Sequence, residues 1–279
     1  MSAVSAVSPI PTSHAHGGGT PLDVILMVLF AISWVVYLSG VVSSHSRGRP
    51  WPLFRLVFWT AGIALAAAAV VGPLADAAHE SFVAHMWAHL FSGMLAPLLL
   101  VLAAPVTLAL RTLDVTPARR LSRLLRSAPA RLVAHPLSAA VLSAGGLWVI
   151  YVTPVFESMQ TNRISHLFVH AHLLAAGYLF TAAVIGIDPR PHPPGRAVSV
   201  VALVSVMASH GILAKNLYAH PPMGVPVSDA REGAQLMHYL GAWAEGTIIV
   251  IFCTQWYRAA GQRLTRQVSR GIVDGSARR

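Results

Sequence analysis

Seven apolar runs, each about as long as a bilayer is thick, constrain this 279-residue chain more than any other feature. They cover Leu22–Val42, Leu53–Gly72, Phe82–Leu110, Leu137–Phe156, Ser165–Ile187, Ala197–Leu217 and Gly233–Tyr257. A hydrocarbon core of about 30 Å needs about 20 predominantly apolar residues to cross it as a helix. The pattern predicts an all-α membrane protein with seven transmembrane helices over residues 22–257. A flexible tail (1–21) precedes them and a basic tail (258–279) follows. The third run is longer than a bilayer requires and contains Pro97 and Pro105. Proline removes an intrahelical hydrogen bond, so a kink at Pro97 or an end near Pro105 is expected.

Charge agrees with this class. Only 11% of the residues are charged and 55% are hydrophobic, with mean hydropathy +0.61, whereas about a quarter of a soluble domain is charged. The net charge of +10 does not indicate nucleic acid, because the basic residues sit in short loops between runs. Seventeen of the twenty fall on one side: Arg47, Arg49, Arg55, six from Arg111 to Arg131, Arg190, Arg196 and six from Arg258 onward. Only Arg163, Lys215 and Arg231 fall on the other, together with Asp76, Glu80, Glu157, Asp229 and Glu232. The positive-inside rule then predicts an outer N-terminus and a cytoplasmic C-terminus in the cell membrane. The Arg111–Arg131 loop sets Arg119, Arg120, Arg123 and Arg126 around Leu121, Leu124 and Leu125, an amphipathic basic segment suited to anionic headgroups. No cleavable signal is expected, since residues 1–21 lack a basic start and the first run is long enough to span.

Histidines on four of these runs carry the chemistry. His85 and His89; His166, His170 and His172; His210; and His238 all fall in the predicted outer leaflet, and all but His166, at the start of its run, lie about 6–11 Å below its surface at 1.5 Å per residue. His45, His135 and His192, on the basic side, lie in loops or at span ends. Ionisable groups inside membrane helices face the bundle interior and mark functional sites. At 100° per residue His85 and His89 share a face with Met86 beside them, and His166 and His170 share another, with Gly177 beneath to allow close helix approach. His172 points nearly opposite to His170. Met207 and His210 share a face, and Met237, His238, Gly241 and Glu245 fall within one arc.

These residues form a mixed imidazole and thioether donor set. Copper accepts both, and Cu(I) favours methionine sulfur; zinc has little use for thioether. Cys253 is the sole cysteine, so a thiolate cluster or disulfide framework is excluded. The candidate ligands are His85, His89 and His210, then His170, His172 and His238, with Met86, Met207 and Met237 as thioether donors. His79 and Glu80 stand at the mouth, and His14 and His16 in the tail could touch a metal. A zinc hydrolase with Glu245 or Glu80 as base, and a bis-histidine haem protein, are the alternatives.

Around these residues the chain resembles the multi-spanning CtaG family of cytochrome c oxidase assembly factors. The likeness rests first on His85-Met86-Trp87-Ala88-His89-Leu90, Ala96-Pro97-Leu98-Leu99 and Pro105. It continues through His166, His170, His172, Gly177-Tyr178-Leu179-Phe180 and Gly186-Ile187-Asp188-Pro189. The last stretch runs from Gly233-Ala234-Gln235-Leu236-Met237 through Tyr239, Gly241 and Glu245 to Gln255-Trp256-Tyr257-Arg258. There His238 and Ala242 stand where the pattern has Tyr and Asp. The resemblance implies a non-enzymatic role in maturing haem–copper oxidases through copper supply. Its expected partners are the lipid bilayer, an oxidase subunit and a copper donor protein, with no nucleic acid.

Overall fold

The computed structural model describes residues 20–189 and 194–277, with side chains through residue 262. His14, His16, Arg190 and His192 lie outside the described residues. The described chain is helical and contains no strand. In order, the helices are α1 (Pro21–Ser46), α2 (Leu53–Ala68), α3 (Pro73–Ala77), α4 (Phe82–Leu90), α5 (Ala96–Leu102), α6 (Pro105–Thr112) and α7 (Val115–Leu125). They are followed by α8 (Ala128–Val133), α9 (Pro136–Ala140), α10 (Gly146–Val152), α11 (Val155–Thr161), α12 (Arg163–Ile185), α13 (Arg196–Ala219) and α14 (Val227–Ala277). Six helical stretches are long and apolar enough to cross a membrane, and a bent pair makes a seventh when counted as one span.

That pair is the predicted fourth run. α9 and α10 form one helix up to Val152, after which the chain turns by 74° into α11. Pro154 has no N–H to continue the ladder, and the Thr153 hydroxyl bonds back to the Val149 carbonyl. Phe156, predicted as the end of the span, therefore sits on the crossing helix, where it is buried with Met159.

The third run crosses as Phe82–Thr112, and each proline leaves a mark. Pro97 cannot donate to the Gly93 carbonyl, and the turn just before it, Phe91–Leu95, widens into a π-helix. Pro105 follows a break at Ala104, whose φ of 54° is left-handed. The start of α6 is capped from a distance: Asp188 accepts from the backbone N–H of Val106 (3.2 Å) and Thr107 (2.7 Å) and from the Thr107 hydroxyl (2.6 Å). Loss of a cap costs about 1–2 kcal/mol. Asp188→Ala should lower thermal stability in detergent by that amount, and an unchanged melting temperature would show that the cap is dispensable.

One end of the bundle gathers the start of α1 and the turns α3–α4, α11–α12 and α13–α14, tied by the Asp23–Arg163 ion pair. Asp229, at the start of α14, caps α4 there through Phe82 N–H at 2.6 Å. The other end carries the amphipathic α7, predicted from its leucine and arginine spacing. α14 continues past Tyr257 as far as Ala277. α1 is the outlying helix. Val24, Ile25, Leu29 and Val35 are more than half exposed, as expected of a lipid-facing helix, and Tyr37 anchors it by donating to the Ala103 carbonyl at 2.8 Å.

The two largest apolar clusters hold most of the core. The first holds Phe82, Met86, Phe156, Met159, Leu213 and Met237. The second holds Leu98, Phe180, Ile185, Leu203, Ile248 and Phe252. Along α4–α5, α13 and α14 the buried polar residues His89, His210 and Glu245 lie between them.

Candidate metal centre

The imidazoles reach the bundle interior because helical spacing repeats them on one face. His85 and His89 on α4 are 2% and 1% exposed, and His170 on α12 is 1% exposed. His166 and His210 are buried with them. Ring centroids lie 4.4 Å apart for His166 and His170, 6.4 Å for His85 and His170, and 6.3 Å for His89 and His210. His79, exposed at the α3–α4 turn, reaches His166 at 4.9 Å.

Close helix approach brings these rings together. A Cβ on Gly177 would overlap the Gly93 carbonyl and come within 2.9 Å of Pro97 Cγ, so glycine lets α12 lie against the π-turn of the third span. A Cβ on Gly241 would collide with the His210 ring, and one on Gly93 would lie 3.3 Å from His89.

Hydrogen bonds then decide which nitrogens are free. The Ser92 hydroxyl donates to the Ala88 carbonyl at 2.8 Å and lies 2.9 Å from His170 Nδ1. With its single hydrogen committed to Ala88, Ser92 accepts from His170 Nδ1–H, which leaves a lone pair on Nε2. That atom has no partner. His85 Nε2 lies 3.0 Å from the Tyr151 hydroxyl, which also reaches Met86 Sδ at 3.8 Å; Nδ1 is left unpaired. His89 has neither nitrogen paired, and His166 Nε2 and His210 Nε2 are also alone. Glu245 Oε1 stands 3.3 Å from His210 Nδ1 without the alignment of a hydrogen bond. A cavity of about 40 Å³ adjoins His89, His210 and Glu245.

Buried polar groups are nearly always bonded, because an unmade bond costs about 1–3 kcal/mol. So many orphaned nitrogens in one region match what a cation-binding site needs before its ion arrives. Among the described residues, however, no three His, Cys, Asp or Glu side chains already converge on one point. The donors are arranged as neighbouring pairs.

The remaining predicted ligands lie elsewhere or have other contacts. His172 faces away: its Nε2–H donates to the Leu142 carbonyl at 3.2 Å, within a second π-turn, Val141–Gly145, and its ring fills the space beside Gly146. His238 is half-buried beside Gly211 and the Tyr239 ring, outside the cluster. Met86 and Met237 are fully buried in the first apolar cluster, with Met86 adjacent to His85. Met207 packs on the second cluster. Sequence reasoning did not single out Tyr151 or Ser92, which hold the ring nitrogens of His85 and His170. They lie 66 and 78 positions along the chain from the rings they hold. His166, four residues before His170, carried its signal in that spacing.

The chain is similar to proteins described as uncharacterized from Mycobacterium bovis and Mycobacterium tuberculosis. Each is 32% identical over 243 residues, covering 80% of this chain and 37% of the relative. A Mycobacterium leprae protein, also described as uncharacterized, is 33% identical over 181 residues, covering 62% of this chain and 28% of the relative. This chain thus spans about a third of the length of the curated relatives it matches. No solved structure matches it. Residues 35–259, which include every buried histidine described above, match the family described as cytochrome c oxidase caa3 assembly factor. The chain therefore belongs to the Caa3_CtaG family of cytochrome c oxidase assembly factors, and it is a multi-pass membrane protein.

Proposed function

We propose that this protein binds copper, as Cu(I), near the extracytoplasmic face of the cell membrane and supplies it during assembly of a haem–copper oxidase. The observation that carries this reading is the set of unpartnered ring nitrogens on His85, His89, His166, His170 and His210. Imidazole suits copper, the neighbouring Met86 adds a soft donor, and Cu(I) tolerates low coordination numbers. Paired donors serve it better than they serve zinc, which takes a tetrahedron of ligands. A 40 Å³ cavity is far too small for a porphyrin.

The arginine asymmetry supports an outer position for the face where His79 and Glu80 stand. Copper is cargo here, so the protein's work is to bind, shield and release it. Neutral imidazoles in a water-poor interior hold the ion reversibly, and histidines at the mouth offer exchange with a donor or a client subunit. Metal analysis tests the assignment. Full-length protein purified in detergent from copper-supplied cells should carry copper at or above one ion per chain and show no haem absorption. The double variant H85A/H89A should lose at least half of that copper. Stoichiometric zinc in place of copper, or a Soret band, would overturn the reading.

A further inference from the structure

The buried donors divide by contact and by charge. His85 and His166 each lie three residues inside their helices, about 5 Å by helical rise, and His89 and His170 lie seven residues inside, about 11 Å. Towards the mouth, His79, His166 and His170 follow one another at 4.9 and 4.4 Å between ring centroids. Their outer end borders a recess of about 300 Å³ lined by Glu80, Glu157 and the exposed Met223, with His79 among its walls. In the second group His89 and His210 face one another and His210 meets Glu245. Glu245 is the single carboxylate buried among the described residues, at the middle of the Val227–Gln262 stretch. His85 stands between the groups, with one nitrogen held by Tyr151.

We propose that these donors form two cation stations in series, each built on a pair of imidazoles: an outer one of His166 and His170 with His79 at its mouth, and an inner one of His89 and His210 with Glu245 as its counter-charge. This rests on the copper reading above and adds a second site, with a carboxylate, at mid-membrane depth. The physical reason is charge. A lone cation in an apolar interior is costly, and so is a lone carboxylate. Glu245 has an oxygen without a partner, and a monovalent soft cation held between His89 and His210 neutralises it. The outer station needs no buried counter-charge, since the acidic recess lies beside it. An ion moves between stations by ligand exchange through His85, whose Nδ1 is unpaired, and no bond to carbon or oxygen is made or broken.

Anaerobic titration of the full-length protein in detergent, with Cu(I) delivered from a chromophoric chelator, counts the stations. Wild type should withdraw two equivalents. H166A/H170A should withdraw one, E245Q and H210N should each withdraw one, and H166A/H170A/H210N should withdraw none. A single equivalent in wild type overturns the two-station arrangement while leaving the copper reading intact, and that measurement needs no variant to fold. Two equivalents that survive both E245Q and H210N also overturn it. No withdrawal by wild type overturns the copper reading and the stations with it.

Discussion

His89→Ala is expected to reduce mature haem–copper oxidase to the level of a strain lacking this protein, while the variant itself accumulates in the membrane at close to the normal amount. Most buried polar deletions cannot be read this cleanly, because they also break hydrogen bonds. His89 makes none through its ring. Removing it deletes two unsatisfied groups, each of which costs about 1–3 kcal/mol when buried, and this offsets much of the packing lost with the imidazole. Function and stability therefore separate at this position. His85→Ala should abolish maturation equally, with a somewhat larger stability loss, because Tyr151 then loses its partner at 3.0 Å. Oxidase activity and oxidase copper content, measured alongside the membrane level of the variant, provide the check. Wild-type copper in the oxidase of either mutant would end the assignment of these residues.

Gly177→Val should have the largest effect on the fold. Any Cβ at this position meets the Gly93 carbonyl and Pro97 Cγ. The first is backbone and the second belongs to a ring, so neither can swing aside. Overpacking typically costs about 1–3 kcal/mol, and here it acts where α12 carries His166 and His170 against the third span. Gly177→Val should leave little folded protein, and Gly177→Ala should fold with a lowered melting temperature and weakened copper retention. Gly246 supplies the control. Nothing lies within 4 Å of a Cβ there, so Gly246→Ala should be neutral or stabilising by up to about 1 kcal/mol from helix propensity. Equal melting temperatures for Gly177→Ala and Gly246→Ala would show that the close approach is not required.

How much of this was legible in the residues differs from element to element. The run Phe82–Leu110 was readable as a span with trouble at two prolines, yet the form each break takes was not: a widened turn before Pro97, and after the left-handed Ala104 a helix start capped by Asp188 from beyond the end of α12. The bend after Val152 was hidden, because Leu137–Phe156 reads as one uninterrupted apolar run up to a proline that could equally sit in a tilted helix. On α12 the opposed directions of His170 and His172 followed from helical geometry alone. That His172 would donate to an opened turn of the fourth span did not, since nothing in its own neighbourhood names Leu142. Met86, Met207 and Met237 share faces with histidines by spacing, but two of them lie in the apolar cluster towards the mouth and one in the cluster below.

The chain alone determined what repeats along one helix: which stretches span, which end is basic, and which histidines share a face, because rise and rotation per residue are local constants. Only the tertiary structure decided how each helix is turned about its axis and which nitrogens remain free. Lipid is as apolar as a leucine-rich interior, so hydrophobicity cannot tell a membrane helix which face to bury. Close approach at Gly177 and Gly241, and single partners such as Ser92 and Tyr151, set those rotations. They turn a layer of histidines into two groups with unpaired donors, one near the surface and one beside Glu245.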